Sequence, residues 1–424
     1  MKAAFFFDSR VLGRDWDIAI SKQALSGTDS ILLQVFDELS SDSEVILLST
    51  NAPNLVDRKV HNLAIVDNLT NAYEYCLNKK ISFLIFGAKE GKEQELFLTY
   101  ASDKETQLIS WAQNTPSFNW CTNAYKCKSF YRLVAVSNIQ RSSLVHHIIY
   151  DKTIVIPNFV DESLIKSSDK TISIDNQIIT YVGALKDSKG FHHLAKVWPK
   201  IHRRFPKACL DVCGSPGLYK SDSMLGTEGI AEEGYENKIL SFLGGTKVSA
   251  QEFGVHFLGS VPKEILYNKM ALSTIVVVNL NTYKDGSVET FCVSAAEAMA
   301  LEVPVIGGAA GGLLEIVGHQ MGGILVDNST KLEQAIIKLL NDRNYANKLS
   351  KIGNSRVRKF YTKDNSIKRW KALLSNEIIS NNTMTDVNIY DMKYYKKYAA
   401  KLLLPSSMLK WLREKRRDFI YRKM

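Results

Sequence analysis

The sequence predicts an α/β chain of two parallel-sheet domains, and three observations predict it. Short apolar runs of strand length alternate with helical segments through both halves of the chain. A polar stretch at 161–176, rich in Ser, Lys and Asp, separates the two series as a linker would. The length of 424 residues, 45% hydrophobic and 23% charged, suffices for two ordinary domains with a core each.

In the first series, strands are expected at 3–7, 44–48, 81–87, 108–111, 133–136 and 153–156, with a clear helix at 30–39 that Thr28 or Asp29 would cap. Asp8 ends the opening apolar run too early for a signal-peptide core, so the run is expected to be a strand. The loop 8–16 then leaves the carboxyl edge of the sheet, where open α/β sheets bind ligands. Arg10, Gly13 and Arg14 are therefore candidates for phosphate or acceptor contacts, against the plain alternative of a charged surface loop.

The second series has strands expected at 178–182, 208–212, 255–258, 274–278, 303–306 and 323–326, a Rossmann-like pattern. Its first turn is Tyr181-Val-Gly-Ala-Leu-Lys-Asp-Ser-Lys-Gly-Phe191. Gly183 and Gly190 let backbone approach a ligand closely, and Lys189 adds its charge to the start of a helix running to about Arg204. The segment 214–245 interrupts the series and is expected either to border an acceptor or to be a surface excursion.

Later in this domain comes Ser287-Val-Glu-Thr-Phe-Cys-Val-Ser-Ala-Ala-Glu-Ala-Met-Ala, expected to be a helix with Phe291, Ala295, Ala298 and Met299 on one packed face. Glu289 would sit at or just before its first turn. Glu297, eight residues on, would lie roughly 12 Å further along the axis. Such spacing suits an extended ligand, each carboxylate meeting a different part of it. The N–H groups of Thr290, Phe291, Cys292 and Val293 would form a phosphate seat at the helix start. Hydroxyls, phosphates, then more hydroxyls is the layout of a nucleotide diphospho-sugar.

From Glu289 the string continues through Glu297, Pro304-Val-Ile306, Gly311-Gly312 and Glu315-Ile-Val317. At these residues the chain resembles the retaining glycosyltransferases of the GT-B fold, family 4. The resemblance covers about 178–376 well, the N-terminal half thinly and the last 40 residues not at all. It implies two Rossmann-like domains facing across a cleft, with a C-terminal crossover helix. The expected layout is an acceptor-side domain at 1–165, a linker at 166–177, a nucleotide-sugar domain at 178–358, a crossover helix at 359–380 and a basic amphipathic tail at 385–424.

The resemblance also implies roles. Glu289 lies near the donor sugar and β-phosphate, and Glu297 holds ribose. Lys189 and the Gly183 loop hold the diphosphate, with Ala184 where the family has arginine, so that one phosphate contact is either missing or supplied by Lys186. The turn Gly259-Ser-Val-Pro-Lys-Glu-Ile265 receives the nucleobase through backbone at Val261. Gln113 stands where many relatives carry a histidine beside the donor sugar, and an amide donates hydrogen bonds without titrating near neutral pH. The implied reaction is retaining hexosyl transfer without a metal ion or cofactor, from a nucleotide-sugar to a glycan or lipid-linked acceptor. UDP-sugar is preferred over GDP-mannose by frequency in the family. The setting implied is surface polysaccharide or lipopolysaccharide synthesis. A non-catalytic nucleotide-sugar-binding relative and an epimerase of the same fold are the alternatives.

Charge and cysteine usage narrow the setting. The net charge is +10, and 391–424 alone holds eleven Lys and Arg against three acids, a net +8. Aromatic and aliphatic residues alternate with those cations, so the tail is expected to meet an anionic membrane surface, against solvated, partner-binding or nucleic-acid alternatives. No nucleic-acid partner is expected. Six cysteines without a Cys-x-x-Cys pair or histidines at ligand spacing predict a reducing cytoplasm and no structural metal, with the enzyme peripheral on the inner face of the plasma membrane if the tail binds.

Overall fold

The computed structural model describes residues 2–12, 27–41, 44–52, 62–161, 163–164, 177–214 and 224–377. Gly13, Arg14, nearly all of the linker and the basic tail lie outside the described residues.

The chain divides into two compact units. Among the described residues, one is built from the first strand, Thr28–Pro157 and 364–377, the other from Asn158–Lys363. The first unit holds a parallel sheet of β1 (Ala3–Phe7), β2 (Val45–Ser49), β3 (Leu63–Ile65), β4 (Phe83–Gly87), β5 (Gln107–Ala112), β6 (Phe130–Ala135) and β7 (Thr153–Val155). Their order is β3-β2-β1-β4-β5-β6-β7. The second unit holds β8 (Ile178–Val182), β9 (Cys209–Cys213), β10 (Val255–Gly259), β11 (Ile275–Val277), β12 (Val305–Gly308) and β13 (Gly323–Val326), ordered β10-β9-β8-β11-β12-β13. Every pairing in both sheets is parallel.

Strand order explains strand composition. Sheets covered by helices on both faces need near-continuous apolar strands, and β1 is buried at all five positions. In each sheet the order reverses beside the first strand of that unit, between β1 and β4 and between β8 and β11. A crevice at the carboxyl ends of the strands opens at such a reversal, because the helices of the two halves lie on opposite faces.

The helix Lys363–Leu374 follows the second unit in sequence and packs in the first. Trp370 is fully buried there, its ring centroid 5.7 Å from that of Phe5 and 4.8 Å from that of Trp111. Ser366 Oγ donates to Pro157 O at 2.9 Å. Two parallel α/β units and a C-terminal helix agree with the architecture read from the sequence.

Three local expectations are corrected. The helix expected at 30–39 begins at Gly27, so neither Thr28 nor Asp29 caps it. Strand β3 was not anticipated, because its three residues are half-exposed or exposed and give no apolar run. The third correction concerns the helix after Glu289, and it reshapes the site.

Candidate active site

Loops leaving β8 and β11 meet at the reversal in the second sheet. After β8, Ala184 and Leu185 turn inward and are buried, and Asp187–Lys189 forms a single 3-10 turn. Gly190 closes it at φ 70°, where a Cβ would stand 2.4 Å from Asn281 Oδ1, so glycine is required for both conformation and space. The helix Phe191–Arg204 starts immediately after. Tyr181 reaches up from β8, its hydroxyl donating to Lys189 O at 3.0 Å.

This turn delivers Lys189 to Glu289. The ammonium Nζ lies 2.6 Å from Glu289 Oε1, with the side chains 27% and 18% exposed. Asn279 Nδ2 donates to the same oxygen at 3.1 Å. The two residues singled out by sequence as catalytic are thus in contact across 100 positions of chain.

Glu289 is not on a helix. The helix is Val293–Ala300, and Cys292 before it takes a left-handed backbone at φ 77°, which breaks any helical path from Glu289. The axial spacing expected between the two glutamates therefore does not apply, nor does a phosphate seat made of helical N–H groups from Thr290 to Cys292. An irregular segment, bent at Thr290 and Phe291, takes its place, laid on Gly311-Gly312. Gly312 N donates to Glu289 O at 2.6 Å. A Cβ on Gly311 would sit 2.2 Å from Glu289 O, and one on Gly312 2.2 Å from Thr290 O. Tyr283 Oη caps the cradle by accepting from Gly311 N at 3.0 Å. Phe291 is buried edge-on against Tyr361, ring centroids 5.3 Å apart. Burial pushes the Cys292 thiol up to about 12, so it stays protonated at neutral pH and is a poor nucleophile.

The helix Val293–Ala300 is buried on every side rather than amphipathic, with Ala295, Ala296, Ala298 and Met299 all packed. Glu297 on it is 7% exposed and accepts a hydrogen bond from Tyr267 Oη at 2.9 Å. Burial raises its pKa, while Lys263 and Tyr267 pull the other way. Between the ordinary carboxylate range and that raised value, the folded state holds a proton the unfolded chain has lost, so stability falls as pH rises through the window. Glu297→Gln is therefore expected to raise the melting temperature of the ligand-free protein at neutral pH and to flatten its pH dependence above the ordinary carboxylate range. Thermal unfolding at several pH values checks this, and an unchanged profile contradicts it.

Other expected residues fall as follows. Gly183 lies at the end of β8, its N–H donating to Cys213 O at 3.1 Å. Lys186 is half-buried and precedes the Asp187–Lys189 turn. Val261 is half-buried in the loop between β10 and the helix Lys263–Leu272. Gln113 belongs to the first unit, half-buried directly after β5. Arg10, also in the first unit, pairs with Asp8 at 2.8 Å. Sequence reasoning missed Asn279, Asn281, Tyr267 and Tyr283. The first two stand directly after β11, and asking which residues end the strands at the order reversal would have found them. Among the described residues no group of three or more His, Cys, Asp or Glu could hold a metal ion, and no helix is long and apolar enough to cross a membrane.

Residues 165–356 match the family of Glycosyl transferases group 1. An uncharacterized glycosyltransferase of Methanocaldococcus jannaschii is 29% identical over 198 residues, 46% of this chain. The match spans 43% of that relative, less than half its length. Among solved structures, sucrose-phosphate synthase from Thermosynechococcus elongatus superposes with a TM-score of 0.67 at 17% identity, over 89% of this chain and 98% of that one. The Anabaena protein HepE in complex with UDP-glucose gives a TM-score of 0.63 at 14% identity, over 89% and 100%. At these identities the structural likeness speaks for the fold, which is GT-B.

Proposed function

We propose that this GT-B chain, which matches the group 1 glycosyl transferases over residues 165–356, is a retaining glycosyltransferase. It moves a hexosyl unit from a nucleotide diphospho-sugar to a glycan or lipid-linked glycan, in the assembly of a bacterial surface polysaccharide or lipopolysaccharide. The observation that carries this reading is the Lys189–Glu289 pair at the order reversal of the second sheet. An ammonium and a carboxylate 2.6 Å apart in a half-open crevice are poised to separate, the ammonium onto a phosphate and the carboxylate onto sugar hydroxyls.

In the reaction, the bond between the anomeric carbon and the β-phosphate oxygen breaks, and the nucleoside diphosphate leaves with the electron pair. Lys189 meets the charge that grows on the leaving oxygens, with Lys186 beside it on the same loop. An acceptor hydroxyl forms the new bond from the same face of the sugar and passes its proton to a phosphate oxygen. Glu289 holds the sugar ring in place, Glu297 anchors ribose, and the backbone at Val261 faces the base. Gln113 serves the donor sugar, and Gly13 and Arg14 the acceptor. The setting proposed is the cytoplasmic face of the plasma membrane, with 391–424 against anionic lipid.

UDP is the proposed nucleotide, as the resemblance implies, and HepE, which shares the fold, is seen in complex with UDP-glucose. Calorimetric titration with UDP, GDP and ADP tests this. Tightest binding of UDP, weakened about tenfold or more in Lys189→Ala, is expected, given the worth of a charge-assisted contact. A clear preference for GDP reassigns the donor, and no binding of any of the three overturns the reading.

A further inference from the structure

Strand β11 ends at Val277, and the residues that follow bond to the Lys189 turn and to Glu289. Asn279 is 4% exposed and its amide is fully used. Nδ2 donates to Glu289 Oε1 at 3.1 Å and to Ser188 O at 3.3 Å, and Oδ1 accepts from Asn281 N at 2.9 Å. Two acceptors on one side and a backbone N–H on the other fix which way the amide points. The backbone is held too, since Gly308 N from β12 donates to Asn279 O at 2.8 Å.

Around this residue the whole Lys189 turn is gripped by its carbonyls. Asp187 O accepts from Asn281 Nδ2 at 2.9 Å, Ser188 O from Asn279, and Lys189 O from Leu280 N at 3.4 Å. One amide group therefore touches both halves of the site, the turn that presents the ammonium and the carboxylate that faces it.

We infer that Asn279 is a positioning residue of the donor site, holding the Glu289 carboxylate at a fixed place relative to the Lys189 turn and keeping it solvated by a neutral donor when Lys189 moves to phosphate. The physical need is specific. Glu289 is only 18% exposed, and a carboxylate at that depth which loses its cation keeps a low-energy charged form only if another donor stays with it. Asn279 is that donor. A neutral amide in this place also leaves Lys189 the only cation among these contacts, so the pair opens without a second ion pair to break.

This inference rests on the transferase reading, and its test separates the two. Asn279→Asp keeps the shape of the side chain but replaces the donor by a second carboxylate beside Glu289. The variant should hold Lys189 more tightly and lose donor-directed hydrogen bonding, lowering turnover and UDP affinity about tenfold to a hundredfold at neutral pH. At lower pH the new carboxyl takes a proton and becomes an O–H donor, so both quantities should recover toward about pH 5 relative to wild type. Asn279→Ala, with no donor at any pH, should lose both throughout and show no acid recovery.

Turnover of a sugar nucleotide and calorimetric affinity for UDP are measured for the three proteins across that range, with thermal unfolding to confirm folding. Acid recovery in Asn279→Asp and not in Asn279→Ala supports the inference, and a merely structural role would not produce it. Wild-type behaviour of Asn279→Asp at every pH, or an equal loss at every pH, overturns it. If wild type turns over no donor, the transferase reading fails, and the UDP affinities still decide the role of Asn279.

Discussion

Lys189→Ala should lower kcat/KM for the donor by about 10²–10³-fold, the range seen when one donor aimed at developing charge is removed. The side chain is partly exposed and its partner keeps the hydrogen bond from Asn279, so the fold should survive the change. What is lost is the cation nearest the leaving diphosphate, in a site whose other named contacts at Glu289 are neutral. Because leaving-group charge grows toward the transition state, kcat should fall with kcat/KM rather than KM rising alone. Steady-state kinetics with the preferred donor check this. A rise in KM at unchanged kcat would mean that Lys189 only tethers the ground state.

Gly312→Ala should be nearly as damaging from a position that carries no chemistry. Its Cβ would stand 2.2 Å from Thr290 O and 2.7 Å from Phe291 N, both backbone atoms that no rotamer change can move aside. Gly312 has φ −60°, so the conflict is one of space alone. Relief requires the loop carrying Glu289 to lift off its cradle, and the hydrogen bond from Gly312 N to Glu289 O to lengthen. Overpacking of this kind costs about 1–3 kcal/mol of stability. A displacement of about 1 Å at a catalytic carboxylate can cost a hundredfold in rate. Thermal unfolding with kinetics should show a modest loss of stability beside a large loss of turnover. A stable variant at full activity would show that the position of Glu289 is not critical.

The sequence made the sheet legible and the local path of the site much less so. Strands β1, β8 and β13 lie where apolar runs placed them, because a doubly covered parallel strand has no other way to be written. The stretch from Glu289 to Cys292 looked helical, since its residues allow a helix and the next eight form one. What overrides that tendency is tertiary: the close approach of Gly311-Gly312 and the left-handed turn at Cys292. Lys189 and Glu289 were found by motif, and their contact follows from the topology. Asn279 and Tyr267 were not found, because each acts through a partner elsewhere in the fold, Ser188 91 positions away and Glu297 30 positions away. A lone Asn or Tyr with no motif around it carries no sign of such a bond.

The central claim is that the Lys189–Glu289 pair is where a nucleotide-sugar is activated. The most direct measurement is release of nucleoside diphosphate from a panel of UDP-, GDP- and ADP-sugars by the wild-type chain, Lys189→Ala and Glu289→Gln, with membrane lipids supplied as acceptor. The account predicts release from one donor class by wild type, from UDP-sugars first, and its loss in both variants while they remain folded. Release that persists in both variants, or wild-type binding of every donor with no release, would contradict it.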